Sequence, residues 1–293
     1  MLEIKELSKK FKNNEKYSLK NVNFQVDQGE IVGLIGKNGA GKTTLMKLIA
    51  KAIKPTYGDI IINQKSILKS PNSLNDFGFM IEGALFNHLN AIEHLNFFIS
   101  LNGKTRHRQN IESVLKLVDL WEKRHVNPNN FSFGMKQRLS LAICLVTEPK
   151  VLILDEPFVG LDPNGVEKLI DTLKKWVQKK DTAIIISSHQ LSELEEICNR
   201  FLFIDNGELK EDFILNQKDT TIIELDKKFI FTSDYKEKYG KHIALTNKSE
   251  MIEVSNNREI LNDLLSDLMK DYKILNLKDK KDHIQQKFKG EHN

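Results

Sequence analysis

Gly36-Lys37-Asn38-Gly39-Ala40-Gly41-Lys42-Thr43 fits the pattern G-x-x-x-x-G-K-[ST] at every fixed position, and the chemistry of that pattern is capture of a nucleoside triphosphate. Glycine at 36, 39 and 41 opens backbone angles closed to residues with a Cβ. Successive N–H groups of the stretch, those of Lys37, Asn38 and Ala40 among them, can then turn inward onto phosphate oxygens at a helix N-terminus. Lys42 is placed to reach the β- and γ-phosphates. The Thr43 hydroxyl is placed to ligate Mg²⁺, a hard cation that takes oxygen ligands and keeps several waters, and Thr44 completes the cradle. A chance Gly-rich turn does not explain the context: residues 31–35 read as a buried strand and residues 44–50 as an amphipathic helix, the flanks the motif requires.

A second pair of reactive groups follows the apolar run of residues 151–154, which ends in Asp155-Glu156-Pro157. Two carboxylates therefore stand at the exposed end of a buried strand, where α/β sheets bind ligands. Asp155 fits a partner for Mg²⁺ through water, and Glu156 fits a base that polarises water attacking the γ-phosphate. Alone, Asp-Glu after an apolar strand reads equally well as a surface turn. Behind a phosphate loop it is specific.

The elements that must position these groups are legible from periodicity. Residues 2–27 alternate as short strands, clearest at 22–26, so an antiparallel β-layer is expected. Pro55 and Gly58 punctuate the chain before strands at 60–62 and 77–81. From Ala91 to Leu145 the pattern turns helical, with Ile92, Leu95, Phe98 and Ile99 on one face and Ile111, Val114, Leu115 and Val118 on another. Strands at 151–154, 183–186 and 201–204 alternate with helices at 166–178 and 191–199, which implies a parallel sheet. Beyond Asp212 the chain is richer in Lys, Asp and Asn. Short strands at 222–225 and 251–254 and a helix at 258–271 suggest a small α+β appendage over 213–293, and Lys278-Asp279-Lys280-Lys281 reads as a solvated face.

The 44 Lys and Arg against 40 Asp and Glu leave a net charge of +4, too small and dispersed to argue for a nucleic-acid surface, so no nucleic-acid partner is expected. Cys144 and Cys198 lack the C-x-x-C spacing of metal and redox sites, and buried thiols are expected. The start carries no basic segment followed by an apolar run, and no stretch reaches the ~18 to 20 apolar residues of a membrane span. The chain is expected in the cytosol, with any membrane role coming through a partner.

The order of motifs over residues 1–212 resembles the ATP-binding cassette family, the nucleotide-binding subunits of membrane transporters. Phe131-Ser132-Phe133-Gly134-Met135-Lys136-Gln137-Arg138 stands where that family has its L-S-G-G-Q signature. Gly160-Leu161-Asp162 resembles the D-loop, Ser187-Ser188-His189 the switch histidine, and Phe11 the aromatic that stacks on adenine. The resemblance implies a P-loop NTPase core of α/β class, with an antiparallel β-subdomain and an inserted helical subdomain at about 83–148. It also implies a head-to-tail homodimer holding each ATP between the phosphate loop of one copy and Ser132 and Gly134 of the other. Hydrolysis of ATP with Mg²⁺, His189 at the γ-phosphate, integral membrane permease subunits and a peripheral place on the cytoplasmic face of the membrane are implied with it. Phe131, Phe133 and Met135 depart from the signature, but the phosphate-contacting pair remains.

Glu82 stands where the family's Q-loop has glutamine, keeping an oxygen for Mg²⁺ or water while adding charge beside the phosphates. Met80-Ile81-Glu82 at this junction resembles the subfamily that protects Gram-positive bacteria from lantibiotics and related peptides such as bacitracin. Residues 85–89 follow where cassettes receive a permease helix. An exporter of an unrelated cargo is the alternative within the family. Soluble cassette proteins of translation or DNA repair carry two cassettes or long coiled coils, which this chain lacks, and a P-loop kinase would leave the signature and His189 without a role.

Overall fold

The computed structural model describes residues 1–12, 14–70, 73–81, 85–198, 200–214, 220–246, 248–255 and 258–280. They fall into two compact units, Met1–Ile214 and Leu215–Asn293. In chain order the first unit contains β1 (Leu2–Lys9), β2 (Leu19–Val26), β3 (Ile31–Ile35), α1 (Lys42–Ile49), β4 (Tyr57–Ile62), β5 (Lys65–Ser66), β6 (Phe77–Met80), α2 (Ala91–Leu101), α3 (Ile111–Leu117), α4 (Phe133–Leu145), β7 (Val151–Asp155), α5 (Pro163–Lys180), β8 (Ala183–Ser187), α6 (Leu191–Ile197), β9 (Arg200–Asp205) and β10 (Glu208–Ile214).

Two sheets result. The antiparallel sheet runs β2-β1-β4-β5 and the larger sheet β10-β9-β3-β8-β7-β6, in which every pair from β9 to β6 is parallel. In β7 and β8 the apolar residues are buried without alternation, as expected of parallel strands covered on both faces. Leu2, Ile4, Val22 and Phe24 from the antiparallel sheet join Leu45, Met46 and Ile49 of α1 and Val32, Ile153 and Ile185 of the larger sheet in one core. The strand order reverses beside β3: the chain leaves β3, returns through β6, β7 and β8 on one side and ends with β9 on the other. The C-terminal ends of β3, β7 and β8 therefore meet at a switch point, the crevice in which such sheets bind ligands.

The helical block is α2, α3 and α4. Asn90 and Glu93 form a capping box at the start of α2, and Leu95 and Ile99 are buried as the periodicity requires. The buried face, however, is completed by Ala91 and His94, while Ile92 and Phe98 are only partly covered. A reading by apolar residue types alone overlooks a histidine that is inside. No helix among the described residues is long and apolar enough to cross a membrane.

The second unit contains β11 (Thr220–Leu225), α7 (Ser233–Tyr239), β12 (Ile243–Leu245), β13 (Met251–Ser255), α8 (Arg258–Asp271) and β14 (Ile274–Lys280). Its fully antiparallel sheet has the order β12-β13-β11-β14, the split β-α-β arrangement. Ile223, Leu225, Ile252 and Val254 pack with Leu264 and Leu268 of α8. The Lys-rich stretch read as a solvated face begins inside a strand, since Lys278 pairs with Ile222 while its side chain remains exposed.

Candidate functional site

The buried strand β3 delivers the chain into the loop at residues 36–41, and α1 begins at Lys42 with Gly41 as its N-cap. Gly36 has φ +155, and a Cβ there would lie 2.2 Å from the Ile204 carbonyl oxygen, so only glycine lets the loop leave the sheet beside β9. Gly39 has φ +83 with open space where a Cβ would stand, while Lys37 and Asn38 are exposed and Ala40 is buried. Lys42 is buried, and its Nζ donates to the carbonyls of Gly36 at 2.6 Å and Lys37 at 3.3 Å. An ammonium has three donors, so one remains for an oxyanion in the loop. Thr44 lies one residue further along α1, partly exposed. Backbone N–H groups at a helix start, a buried ammonium and an adjacent hydroxyl are a donor set that fits a polyphosphate.

From Thr43 on α1 a chain of hydrogen bonds crosses the ends of β7 and β8. Thr43 Oγ1 donates to Asp155 Oδ2 at 2.9 Å, and Ser187 Oγ donates to Asp155 Oδ1 at 2.6 Å. The Glu156 N–H points at Ser187, 3.1 Å from Oγ and 3.2 Å from the carbonyl oxygen. Glu156 Oε2 accepts from the His189 backbone N–H at 3.2 Å and lies 2.8 Å from His189 Nδ1. An ionised carboxylate only accepts, so in that contact the imidazole proton sits on Nδ1. Glu156 holds φ +51, a left-handed angle that costs a residue with a Cβ roughly 1–2 kcal/mol. It persists because both its N–H and its carboxylate are tied. The hydroxyl of Thr43 and the carboxylate of Asp155 are hard oxygen donors of the kind Mg²⁺ accepts.

Ser132 and Gly134 lie at the start of α4. Ser132 is exposed and caps the helix, its Oγ accepting from the Met135 N–H at 3.3 Å, which leaves the hydroxyl proton available to another acceptor. Phe131 is buried, whereas Phe133 is 51% exposed and rests on Gly160, where a Cβ would come within 2.6 Å of its ring. Asp162 caps α5, accepting from the Gly165 N–H at 3.1 Å. Phe11 is half-exposed with Lys9 Nζ 5.0 Å above its ring, a cation–π contact at the edge of the antiparallel sheet. A cleft of about 540 Å³ is bounded by Met80, Leu85, Phe133, Lys136, Gln137, Asp155 and Glu156, so α4 and the two carboxylates share one opening. Glu82 lies outside the described residues.

Two residues whose roles a motif reading passes over belong to this region. Ser187, which the sequence offers only as the first residue of Ser187-Ser188-His189 at the close of the apolar run 183–186, joins both carboxylate residues. His94 is fully buried, its Nε2 accepting from the Phe86 N–H at 2.9 Å and its Nδ1 lying 2.8 Å from the Asn90 carbonyl. It fixes the loop that leads from the cleft into α2. Both cysteines are buried as expected, and burial pushes the Cys144 thiol up to about 12.

Comparison with known proteins adds independent findings. The ABC transporter family model matches residues 19–159. The uncharacterised ABC transporter ATP-binding protein YhcH of Bacillus subtilis (strain 168) is 35% identical over 89% of this chain and 83% of its own length. Relatives with named cargo are divided. Bacitracin transport ATP-binding protein BcrA of Enterococcus faecalis is 33% identical over 74% of this chain and 70% of its own. Methionine import ATP-binding protein MetN 1 of Enterococcus faecalis (strain ATCC 700802 / V583) is 34% identical over 71% and 61%. Among solved structures, the dimeric post-hydrolysis cassette MJ0796 bound to ADP and Pi superposes with a TM-score of 0.66 and 26% identity, covering 73% of this chain and 98% of that one.

Proposed function

The chain belongs to the ABC transporter family as an ATP-binding subunit and ATPase, and from that premise we propose that it powers the expulsion of a lantibiotic-like peptide antibiotic through separate permease subunits. The observation that carries the cargo is Met80-Ile81-Glu82 at the junction between the core and the helical block. The likeness to a bacitracin transport subunit supports it. Export of an unrelated cargo is the competing reading.

In this reading the loop N–H groups from Gly36 to Thr44 and the third donor of Lys42 hold the β- and γ-phosphates of ATP, while Phe11 stacks on the adenine. Thr43 would hold Mg²⁺ directly and Asp155 would hold it through water, with the carboxylate of Glu82 a further oxygen that the sequence offers; the ion would supply neutralisation of charge on the phosphate oxygens. Glu156 takes a proton from the attacking water, and His189, anchored to Glu156, presents its other ring nitrogen to the γ-phosphate side. A second copy contributes Ser132 and Gly134. That the Ser132 hydroxyl is exposed with its proton uncommitted supports this role, as does the dimeric state of the similar cassette MJ0796. Asp162 lies at the same boundary.

Phe86, Phe97 and Leu101 are exposed beside one another, Phe86 lying 5.2 Å from Phe97 edge to face. This apolar patch is the surface offered to a permease segment, which holds the subunit at the cytoplasmic face of the membrane. The test is protection of cells that carry the permease. Glu82→Gln should change ATP binding by no more than about tenfold, whereas Glu82→Ala should lower protection against a lantibiotic more than it lowers ATP binding by the isolated subunit. Full protection by Glu82→Ala at matched expression refutes the cargo assignment.

A further inference from the structure

Ser187 ends β8 directly opposite Asp155, the two paired in the parallel register of β7 and β8. Its side chain is wholly buried, and its hydroxyl is used twice: the proton goes to Asp155 Oδ1 at 2.6 Å and a lone pair receives the Glu156 N–H at 3.1 Å. These two bonds act on different degrees of freedom. A carboxylate turns about a broad, soft terminal torsion, so the bond to Oδ1 fixes the plane of Asp155 and leaves Oδ2 aimed at Thr43. The bond to the N–H of Glu156 fixes the backbone of a residue at φ +51, a conformation that survives only where neighbours over-determine it. A carbonyl alone could satisfy that N–H, because Ser187 O is also 3.2 Å away. Only the hydroxyl links it to Asp155.

We propose that Ser187 is a positioning residue of the ATPase site, its buried hydroxyl setting the carboxylate plane of Asp155 and the backbone of Glu156 together. The inference rests on the reading of Asp155 as a metal partner and Glu156 as the base. Alanine, valine or glycine at 187 would preserve the strand and its ladder hydrogen bonds. Each would release Asp155 Oδ1 and leave the two carboxylates independently adjustable. Ser187 thus governs how well the Thr43–Asp155 pair meets a divalent cation, while the loop that grips the triphosphate is untouched.

The experiment compares the wild type, Ser187→Ala, Ser187→Thr, Asp155→Asn and Thr182→Ala. Thr182 is a buried hydroxyl at the opposite end of β8 that likewise makes two hydrogen bonds, to Pro149 O and from Trp176 Nε1, so its loss controls for destabilisation. Binding of a fluorescent ATP analogue is titrated with Mg²⁺ and with EDTA, alongside steady-state hydrolysis and thermal melting. Ser187→Ala should bind the metal-free nucleotide within about twofold of wild type, lose about tenfold of the tightening that Mg²⁺ gives, and lower kcat about ten- to a hundredfold with KM for the Mg²⁺–nucleotide raised by up to about tenfold. Ser187→Thr, which keeps the hydroxyl, should restore most of the metal response. Thr182→Ala should melt earlier and keep the full metal response. If Ser187→Ala keeps it too, while Asp155→Asn loses it, the role of Ser187 is refuted. If Asp155→Asn also keeps it, the reading of Asp155 falls first. Should Ser187→Ala fail to fold, Ser187→Cys, close in volume and a weak donor, takes its place with the same expected loss.

Discussion

Replacing Glu156 by Gln separates the charge of this side chain from its hydrogen bonds. In the structure Oε2 receives the His189 backbone N–H at 3.2 Å and contacts His189 Nδ1 at 2.8 Å, and the φ +51 backbone is held from the other side by Ser187. Gln offers a carbonyl oxygen to the same two donors, so the fold loses only the difference between charged and neutral acceptors. That difference is about 1 kcal/mol per bond at most, and less here because His189 is exposed. What Gln cannot do is accept a proton. Loss of a general base lowers the rate by ~10²- to 10⁴-fold, equivalent to about 3–5.5 kcal/mol in the barrier, which exceeds the stability change several-fold. The assay is ATP hydrolysis, with nucleotide affinity and light scattering on the same preparation. Melting should shift by a few degrees at most, ATP should still bind, turnover should collapse, and the ATP-loaded protein should become dimeric. Hydrolysis within tenfold of wild type would refute Glu156 as the base, and a monomer with bound ATP would refute assembly around the nucleotide.

Lys42→Ala removes a buried ammonium from the loop, and at ~1.5–3 kcal/mol for a charge-assisted contact ATP affinity should fall about ten- to a hundredfold by equilibrium titration, with turnover lost. His94 has its pKa lowered from 6.5, chiefly because burial penalises the cation. The unfolded chain therefore binds the extra proton first, so this contribution to stability is complete above pH 6.5 and declines as pH falls from 6.5 toward the lowered folded value. Denaturant melts from pH 8 to 5 should show that decline in the wild type and a shallower one in His94→Gln. Gly160→Ala places a Cβ 2.6 Å from the Phe133 ring at φ +74, so destabilisation of about 2–4 kcal/mol is expected from strain and overpacking. A double-mutant cycle with Phe133→Ala should return the steric share and leave the backbone share.

The legible parts of this protein are those where sequence and chemistry coincide locally. Gly36 to Thr43 must be contiguous to wrap a phosphate, and Asp155-Glu156 must follow an apolar strand to reach the crevice, so both announce themselves in the linear chain. The parallel sheet was legible because 151–154 and 183–186 are apolar on both faces. Ser187 was not, since its importance comes from a register with Asp155 that lies 32 residues away. His94 was passed over because a polar type on a helix is expected outside, and nothing in the local sequence says that Phe86 N–H will come to meet it. In the second unit α7, β12 and β14 were invisible for a different reason. Tyr239 is the one buried residue of α7, which gives that helix no apolar stripe, and Leu245, Leu275 and Leu277 are exposed on the two outer strands, so the alternation that marks a half-buried strand is broken there.

The departures around Ser132 have a common physical sense. Phe131 is buried and anchors the approach to α4, whereas Phe133, where the family pattern has glycine, lays its ring across Gly160. Gly134 is close to the same segment: a Cβ there would lie 3.2 Å from Leu161 Cδ2. The first turn of α4 is therefore packed on residues 160–161, in the loop that runs from Glu156 to the α5 cap Asp162. A glycine at 133 would give the helix start no side chain with which to grip that loop. With phenylalanine, any displacement of the Ser132 end of α4 moves a ring that Gly160 can accommodate only at close range, so the exposed hydroxyl at 132 and the loop carrying Glu156 are mechanically joined within one copy. The same aromatic that departs from the signature thus ties its serine to the hydrolytic side of the site.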